Sequence, residues 1–274
     1  MGAMAGAVTF LVDNGSLEPA ATLALREIAA ALAGKLGTAV VPVSLLHASA
    51  VPAEALGGVA AEIFEPALTR RLAGGTTDFV VLPLFFGPSR GLTDYLPERV
   101  AHVRGKYPAL RVRVAAPLFQ PEDDRLARIL ADHVRVAGGG GSPLRVALVD
   151  HGSPVRAVTA VRDALAGQLR GLLDAGALVA PCSMERRAGP DYAFNDPLLA
   201  DLFAQPEWTG DVVVARQFLL PGRHAGPEGD VAQICRRAEA QRPGLHTLPT
   251  PLVGAHPGLI EILAARWRQA ATPV

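Results

Sequence analysis

Apolar residues along this chain gather into short β-branched runs at residues 8–13, 38–43, 79–84 and 110–116, and again at 144–150, 177–182, 211–217 and 245–249. Short runs with little alternation are the pattern of strands buried on both faces of a parallel sheet. Between them lie Ala-, Leu- and Arg-rich stretches with helical spacing, at 20–36, 55–72, 158–173, 230–241 and 257–269. Asn195, Asp196 and Pro197 read as the N-cap and first turn of a further short helix. Strand and helix alternating in this way predict an α/β fold with parallel sheets covered by helices.

The alternation occurs twice, and the two passes match in order. Leu11-Val12-Asp13-Asn14-Gly15-Ser16 aligns with Leu148-Val149-Asp150-His151-Gly152-Ser153, residues 79–96 with 213–230, and Pro117-Leu118 with Pro251-Leu252. Between them, Ala137-Gly138-Gly139-Gly140-Gly141-Ser142-Pro143 has the composition of a flexible linker. The expected organisation is two similar lobes from an internal duplication, at 1–137 and 144–274, joined by a linker at 138–143. The cleft between two such lobes is the default place for a ligand.

Composition narrows the partners. With 26 basic and 26 acidic residues the net charge is zero, so there is no basic field to hold nucleic acid or an anionic membrane. Two cysteines, Cys182 and Cys235, give neither a disulfide framework nor a zinc-type spacing, which fits a reducing, cytoplasmic setting. No apolar run approaches the roughly 18 residues that a membrane helix needs. The first ten residues carry no basic region ahead of their apolar stretch, so no signal peptide is expected.

Ligands of open parallel sheets bind beyond the carboxyl ends of the strands. In the second half those positions hold His151, the 183–187 segment with Glu185, the 222–226 segment with His224, and His256. The matching positions of the first half hold Asn14, His47, Arg90 and, roughly, Glu122, so the first half is expected to be degenerate and the second to carry the site. A single histidine at a strand end can simply cap the next helix, and Glu185 beside Arg186 and Arg187 can form a local ion pair. His256, before Pro257 at a helix start, reads at least as well as a structural residue. His102, His133 and His246 fall away from this edge, and Glu228 and Asp230 read most simply as solvated acids at a helix start.

Two neutral imidazoles with a carboxylate suit a borderline divalent cation such as cobalt, iron, nickel or zinc. Gly152, Gly222 and Gly226 let a flat ligand approach the backbone. Arg156, Arg186, Arg187 and Arg223 lie nearby, and guanidinium forks suit carboxylates. Together these residues suggest a polycarboxylate ligand that meets a metal.

His151-Gly152-Ser153 and Phe218-Leu219-Leu220-Pro221-Gly222-Arg223-His224 resemble the motifs of the class II chelatases of the CbiX/SirB type, the sirohydrochlorin cobaltochelatases and ferrochelatases. Glu185 matches the glutamate that this family carries after the second strand. Pro251-Leu252-x-Gly254-x-His256-Pro257 resembles its final segment, and Asn14-Gly15-Ser16 with residues 83–91 resembles it in the first half. The resemblance covers almost the whole chain. It implies a long, two-repeat form with a four-stranded parallel sheet flanked by helices in each lobe. The implied activity is a lyase reaction, insertion of Co2+ or Fe2+ into sirohydrochlorin or a related tetrapyrrole on the way to cobalamin or siroheme. His151, His224 and Glu185 are then the metal-handling and catalytic residues. Ser153, Arg156, Arg186, Arg223 and, from the first half, Arg90 would receive the anionic substrate. No tightly bound cofactor is implied, the divalent metal being a substrate, and a duplicated chain supplying both lobes is expected to act as a monomer.

Two other readings differ in class. A histidine phosphatase also places His-Gly after its first strand, but needs an arginine just before that pair, where this chain has Asp150. A non-catalytic tetrapyrrole- or metal-binding protein on the same fold is suggested by Asn14 and Arg90 standing where histidines are expected, and opposed by His151 and His224.

Overall fold

The computed structural model describes residues 7–138 and 143–271, so residues 139–142 of the predicted linker lie outside the described residues. Strands β1 (Val8–Asp13), β2 (Val40–Ser44), β3 (Asp78–Pro83) and β4 (Arg111–Val114) form one parallel sheet in the order β2-β1-β3-β4. Strands β5 (Arg145–Asp150), β6 (Leu178–Ser183), β7 (Gly210–Arg216) and β8 (Leu245–Pro249) form a second, in the order β6-β5-β7-β8. The order is the same in both, as a duplicated unit requires.

Parallel neighbours need crossovers, and helices supply them. In the first repeat these are α1 (Pro19–Leu36), α2 (Phe64–Ala73) and α3 (Leu96–Lys106), with α4 (Arg125–Ala137) after the last strand. In the second they are α5 (Arg156–Leu172), α6 (Leu199–Ala204) and α7 (Asp230–Gln241), with α8 (Gly258–Ala271) at the end. Two sequence expectations are corrected here. The single helix expected over 55–72 is broken: a short 3-10 turn, Ala53–Leu56, stops at Gly57 and Gly58, both at positive φ, and α2 starts only at Phe64. Asn195 does not cap the short helix α6, whose N-cap is Leu198; it ends a 3-10 segment, Pro190–Asn195, and is buried.

The chain divides into two compact units whose limits depart from the sequence halves. The first contains residues up to Leu118 and those from Ile260 onward; the second runs from Phe119 to Leu259. Helix α4 thus belongs to the second unit, where it packs on α5 and β7. Most of α8 belongs to the first, where Trp267 Nε1 donates to Thr9 Oγ1 (2.9 Å) and Arg266 donates to the carbonyls of Pro117 (3.0 Å) and Leu118 (2.7 Å). An apolar helical stripe shows that a helix packs but not on which sheet, so sequence spacing assigns each closing helix to its own repeat.

The core of the first unit gathers Phe10, Phe64 and Phe79, with the Phe10 and Phe64 rings edge to face at 6.0 Å. That of the second gathers Val149, Leu199, Phe203, Trp208 and Val212. Each such side chain, fully buried, contributes about 1.5–3 kcal/mol. Among the described residues no helix is long and apolar enough to cross a membrane.

Candidate active site

At the end of β5 the chain turns through His151-Gly152-Ser153. Gly152 has φ +88°, and a Cβ there would lie 1.9 Å from the Glu185 carbonyl oxygen, so this turn packs on the turn after β6 only because the residue is glycine. The two turns are joined by backbone bonds, Met184 N–H to the Asp150 carbonyl (2.8 Å) and Glu185 N–H to the His151 carbonyl (3.3 Å). His151 Nε2 consequently lies 3.5 Å from Glu185 Oε1.

The third side chain comes from the turn after β7. Arg216, the last residue of that strand, donates from Nε to the Thr250 carbonyl (2.6 Å) and from Nη1 to the Ala225 carbonyl (2.8 Å). This anchors the 222–226 turn, which Gly226 N–H closes on the Gly222 carbonyl (3.0 Å). The turn brings the His224 ring to 4.5 Å from that of His151, edge to face at 70°.

Hydrogen bonds select the tautomers. His224 Nδ1 lies 2.6 Å from Asp230 Oδ2, and His151 Nδ1 lies 2.9 Å from the Gly152 carbonyl. A carbonyl oxygen and a carboxylate only accept, so in the neutral rings both protons sit on Nδ1 and both Nε2 lone pairs are left for a ligand. The His151, His224 and Glu185 side chains are 47%, 34% and 61% exposed, so a solute can reach them. Among the described residues no group of three or more His, Cys, Asp or Glu side chains is placed as a metal cluster. The constellation is two imidazole lone pairs with a carboxylate at their side.

The other expected residues are placed as follows. Ser153 Oγ accepts from Val155 N–H (3.0 Å) and so shapes the entry to α5. Arg156 is exposed, its guanidinium 4.5 Å over the Phe194 ring, and Arg223 is exposed beside His224. Arg186 is held within its own loop by Asp196 (2.6 Å) and by the carbonyls of Arg187 (3.2 Å) and Gly189 (3.1 Å). Arg90 is exposed in the first unit, just ahead of the helical turn that leads into α3. His256, two residues ahead of α8, accepts from Gly258 N–H at Nδ1 (3.0 Å), and its ring stacks edge to face on that of His133 at 5.2 Å. Glu228 pairs with Arg236 (2.8 Å). Burial pushes the Cys182 thiol far up and that of Cys235 to about 11, so neither is a ready thiolate.

In the first unit the same backbone carries different side chains. Gly15 repeats φ +88°, and Leu46 N–H donates to the Asn14 carbonyl (3.1 Å). Leu46, not His47, is thus the counterpart of Glu185, and Asn14, Leu46 and Arg90 stand where the second unit has His151, Glu185 and His224. Asp230 is the residue whose part in the site the sequence hides: a helix-start acid six positions after a histidine has the same appearance whether it is solvated or bonded to that histidine.

Residues 8–137 match the family model described as CbiX, so the match falls on the half without the histidine pair. No curated protein sequence matches the chain. Among solved structures, SirB from Bacillus subtilis with Fe3+ is similar at 17% identity and a TM-score of 0.73, over 97% of this chain and 95% of that one. The sirohydrochlorin chelatase SirB from Bacillus subtilis subspecies spizizenii in complex with cobalt is similar at 16% identity and a TM-score of 0.70, over 96% and 94%. DR2241 from Deinococcus radiodurans, a multi-domain protein with structural similarity to chelatases, is similar at 20% identity and a TM-score of 0.63, over 95% of this chain and 55% of that one. Residues 8–137 thus match the CbiX family model, and over nearly its whole length the chain has the fold of the two SirB structures.

Proposed function

We propose that this protein is a chelatase that inserts a divalent cation, Co2+ or Fe2+, into sirohydrochlorin or a closely related anionic tetrapyrrole. The observation that carries this reading is the pairing of His151 and His224, rings 4.5 Å apart, each with Nδ1 engaged and Nε2 open. Two neutral imidazoles hold a borderline cation without the grip of a thiolate, so the ion can be passed on.

Insertion exchanges one M2+ for the two N–H protons of the free-base ring: the four ring nitrogens bind the ion as its bonds to the imidazoles break, and the two N–H bonds break with release of their protons. The approaching cation acidifies the N–H groups, so a weak base suffices to take the protons. Glu185 lies beside the imidazole pair and is exposed, so it can accept a proton and return it to water. His224, fixed by Asp230, keeps its lone pair aimed while the ion is held. Arg156 and Arg223 are exposed guanidiniums of the same unit that can receive substrate carboxylates.

The test is an anaerobic absorbance assay in which sirohydrochlorin is mixed with Co2+ or Fe2+ and wild type, His151→Ala or His224→Ala. The expected result is accelerated conversion to the metallated spectrum by wild type and the spontaneous rate with both variants. A wild type that perturbs the ligand spectrum but does not accelerate metallation is a binding protein on a chelatase fold, and the proposal fails.

A further inference from the structure

Beneath the two turns that carry His151 and Glu185 lies a closed set of buried polar side chains. Arg162 on α5 is 2% exposed. Its Nη1 donates to Ser183 Oγ (2.6 Å) and to the Asn195 carbonyl (2.8 Å), and lies 4.0 Å from Asp150 Oδ1. Its Nε donates to Asp163 (2.9 Å). The Ser183 hydroxyl donates to Asp150 Oδ1 (2.6 Å), which also accepts from Gly152 N–H (3.0 Å). Asn195, fully buried, accepts at Oδ1 from Ser153 N–H (2.9 Å) and the Thr159 hydroxyl (3.1 Å), and donates from Nδ2 to the carbonyls of Ser153 (3.0 Å) and Tyr192 (3.0 Å). That is the full bonding capacity of a side-chain amide. Ser153 is therefore gripped at both backbone atoms, and Gly152 at its N–H.

A buried arginine is expensive, and apolar residues of similar volume commonly stabilise a fold as well or better. The first unit shows the same sheet built without one. Leu25 and Arg162 each stand twelve residues after the strand-end aspartate, Asp13 or Asp150, and Leu25 is buried on α1 as Arg162 is on α5. The isolated bridges Ser44 to Ile63 and Ser183 to Leu198 align the segments after the second strands; three residues before each bridge partner stand Ala60 and Asn195. The first unit keeps the aspartate, the serine and the glycine turn, and half-buried Arg26, one position after Leu25, donates to the carbonyls of Val59 (2.6 Å) and Ala60 (3.2 Å) much as Arg162 does to that of Asn195; but it has no fully buried arginine at the Arg162 position, alanine at the Asn195 position, and Asn14 in place of His151. What accompanies the histidine in the second unit is Asn195, with its grip on Ser153, and the buried contact of Arg162 with Ser183.

We infer that Asn195 and Arg162 are positioning residues. They lock the His151-Gly152-Ser153 turn onto the Ser183–Glu185 turn, so that the His151 ring keeps Nδ1–H on the Gly152 carbonyl and presents Nε2 toward Glu185 and His224. The value of this for metal transfer rests on the chelatase reading; the geometric statement does not.

The experiment compares full-length wild type, Asn195→Ala and Arg162→Leu, the latter grafting the first unit's residue. The ring nitrogens of His151 are read by NMR, with Co2+ affinity followed by visible absorbance and folding by thermal melts. The expected result is folded variants in which His151 loses its single Nδ1–H tautomer for a mixture, with Co2+ binding weakened by about 10–100-fold. Wild-type His151 signals in a folded Asn195→Ala or Arg162→Leu protein overturn the inference. So does loss of folding in both variants, which assigns these residues to the fold alone; if only one variant folds, that one decides. Failure of the chelatase reading shows separately, as a wild type that does not metallate sirohydrochlorin although its His151 tautomer responds to these substitutions.

Discussion

Asp230 Oδ2 stands 2.6 Å from Nδ1 of His224, and that contact makes the first residue of α7 part of the site. The carboxylate does two things: it meets the positive end of the helix and it fixes which ring nitrogen of His224 carries the proton. Replacing it with alanine frees the ring. Asp230→Ala is expected to lower Co2+ insertion by about 10–100-fold with little change in the melting temperature. Asp230→Asn keeps a carbonyl oxygen that can accept from Nδ1–H, so it should lose less. Anaerobic insertion rates and melts on the two variants check this; wild-type rates in Asp230→Ala would remove Asp230 from the mechanism.

Gly152 and Gly15 make a matched pair. Both have φ +88°, and an added Cβ would lie 1.9 Å from the Glu185 carbonyl oxygen in one case and 1.7 Å from the Leu46 carbonyl oxygen in the other. Alanine at either position meets a left-handed backbone and a main-chain oxygen that cannot rotate away. Each substitution is expected to cost at least about 2 kcal/mol in urea denaturation. Only Gly152→Ala lies next to His151, so only it should weaken Co2+ binding as well. Equal loss of binding in both variants would contradict the assignment of the site to the second unit.

The arginines separate by what already holds them. Arg186 is tied to Asp196 and two carbonyls of its own loop, whereas Arg156 stacks on Phe194 with its fork open to solvent. A charge-assisted hydrogen bond contributes about 1.5–3 kcal/mol, which is on the order of tenfold or more in binding. Arg156→Ala is therefore expected to raise KM for the tetrapyrrole on the order of tenfold with kcat little changed. Arg186→Ala should lower the melting temperature and leave KM near wild type. Steady-state kinetics with the metal held constant distinguish the two; a larger KM effect from Arg186 reverses the assignment.

The strands, the duplication, and His151, His224 and Glu185 were legible because each depends on local sequence: a β-branched run, a repeated motif, a polar residue just past a strand. The supports of the site were not, because they act across long separations. Arg162 lies on an Ala- and Leu-rich helix and reads as an ordinary solvent-facing arginine until Ser183 and Asn195, 21 and 33 residues away, close on it. Asn195 looks like a helix cap because Asp196 and Pro197 follow it, yet its amide is spent on Ser153, 42 residues earlier. The assignment of α4 and α8 to the two units was hidden for the same reason. An amphipathic stripe records that a helix buries one face, and its partner is fixed only by tertiary packing.

Asp13 shows what remains of the polar set once its arginine is absent. It is 7% exposed, its Oδ1 has no partner, and burial pushes its pKa up to about 6 despite the hydrogen bond with Ser44. The ordinary value is 3.8, so the folded chain holds this proton more tightly than the unfolded chain. The resulting stabilisation is fully present below about pH 4 and is lost as pH rises through about 6; a shift of this size corresponds to about 3 kcal/mol. Asp13→Asn, which carries no charge at any pH, should gain on wild type by up to that amount between pH 4 and 8. The counterpart Asp150 is also raised by burial, but Ser183 and Arg162 pull it back. Asp150→Asn takes a carboxylate away from buried Arg162 and should destabilise the protein at pH 8. Urea unfolding of wild type and both variants across this range reads the difference directly, and variant-minus-wild-type stabilities that move in parallel with pH would mean that the two aspartates do not differ as their surroundings require.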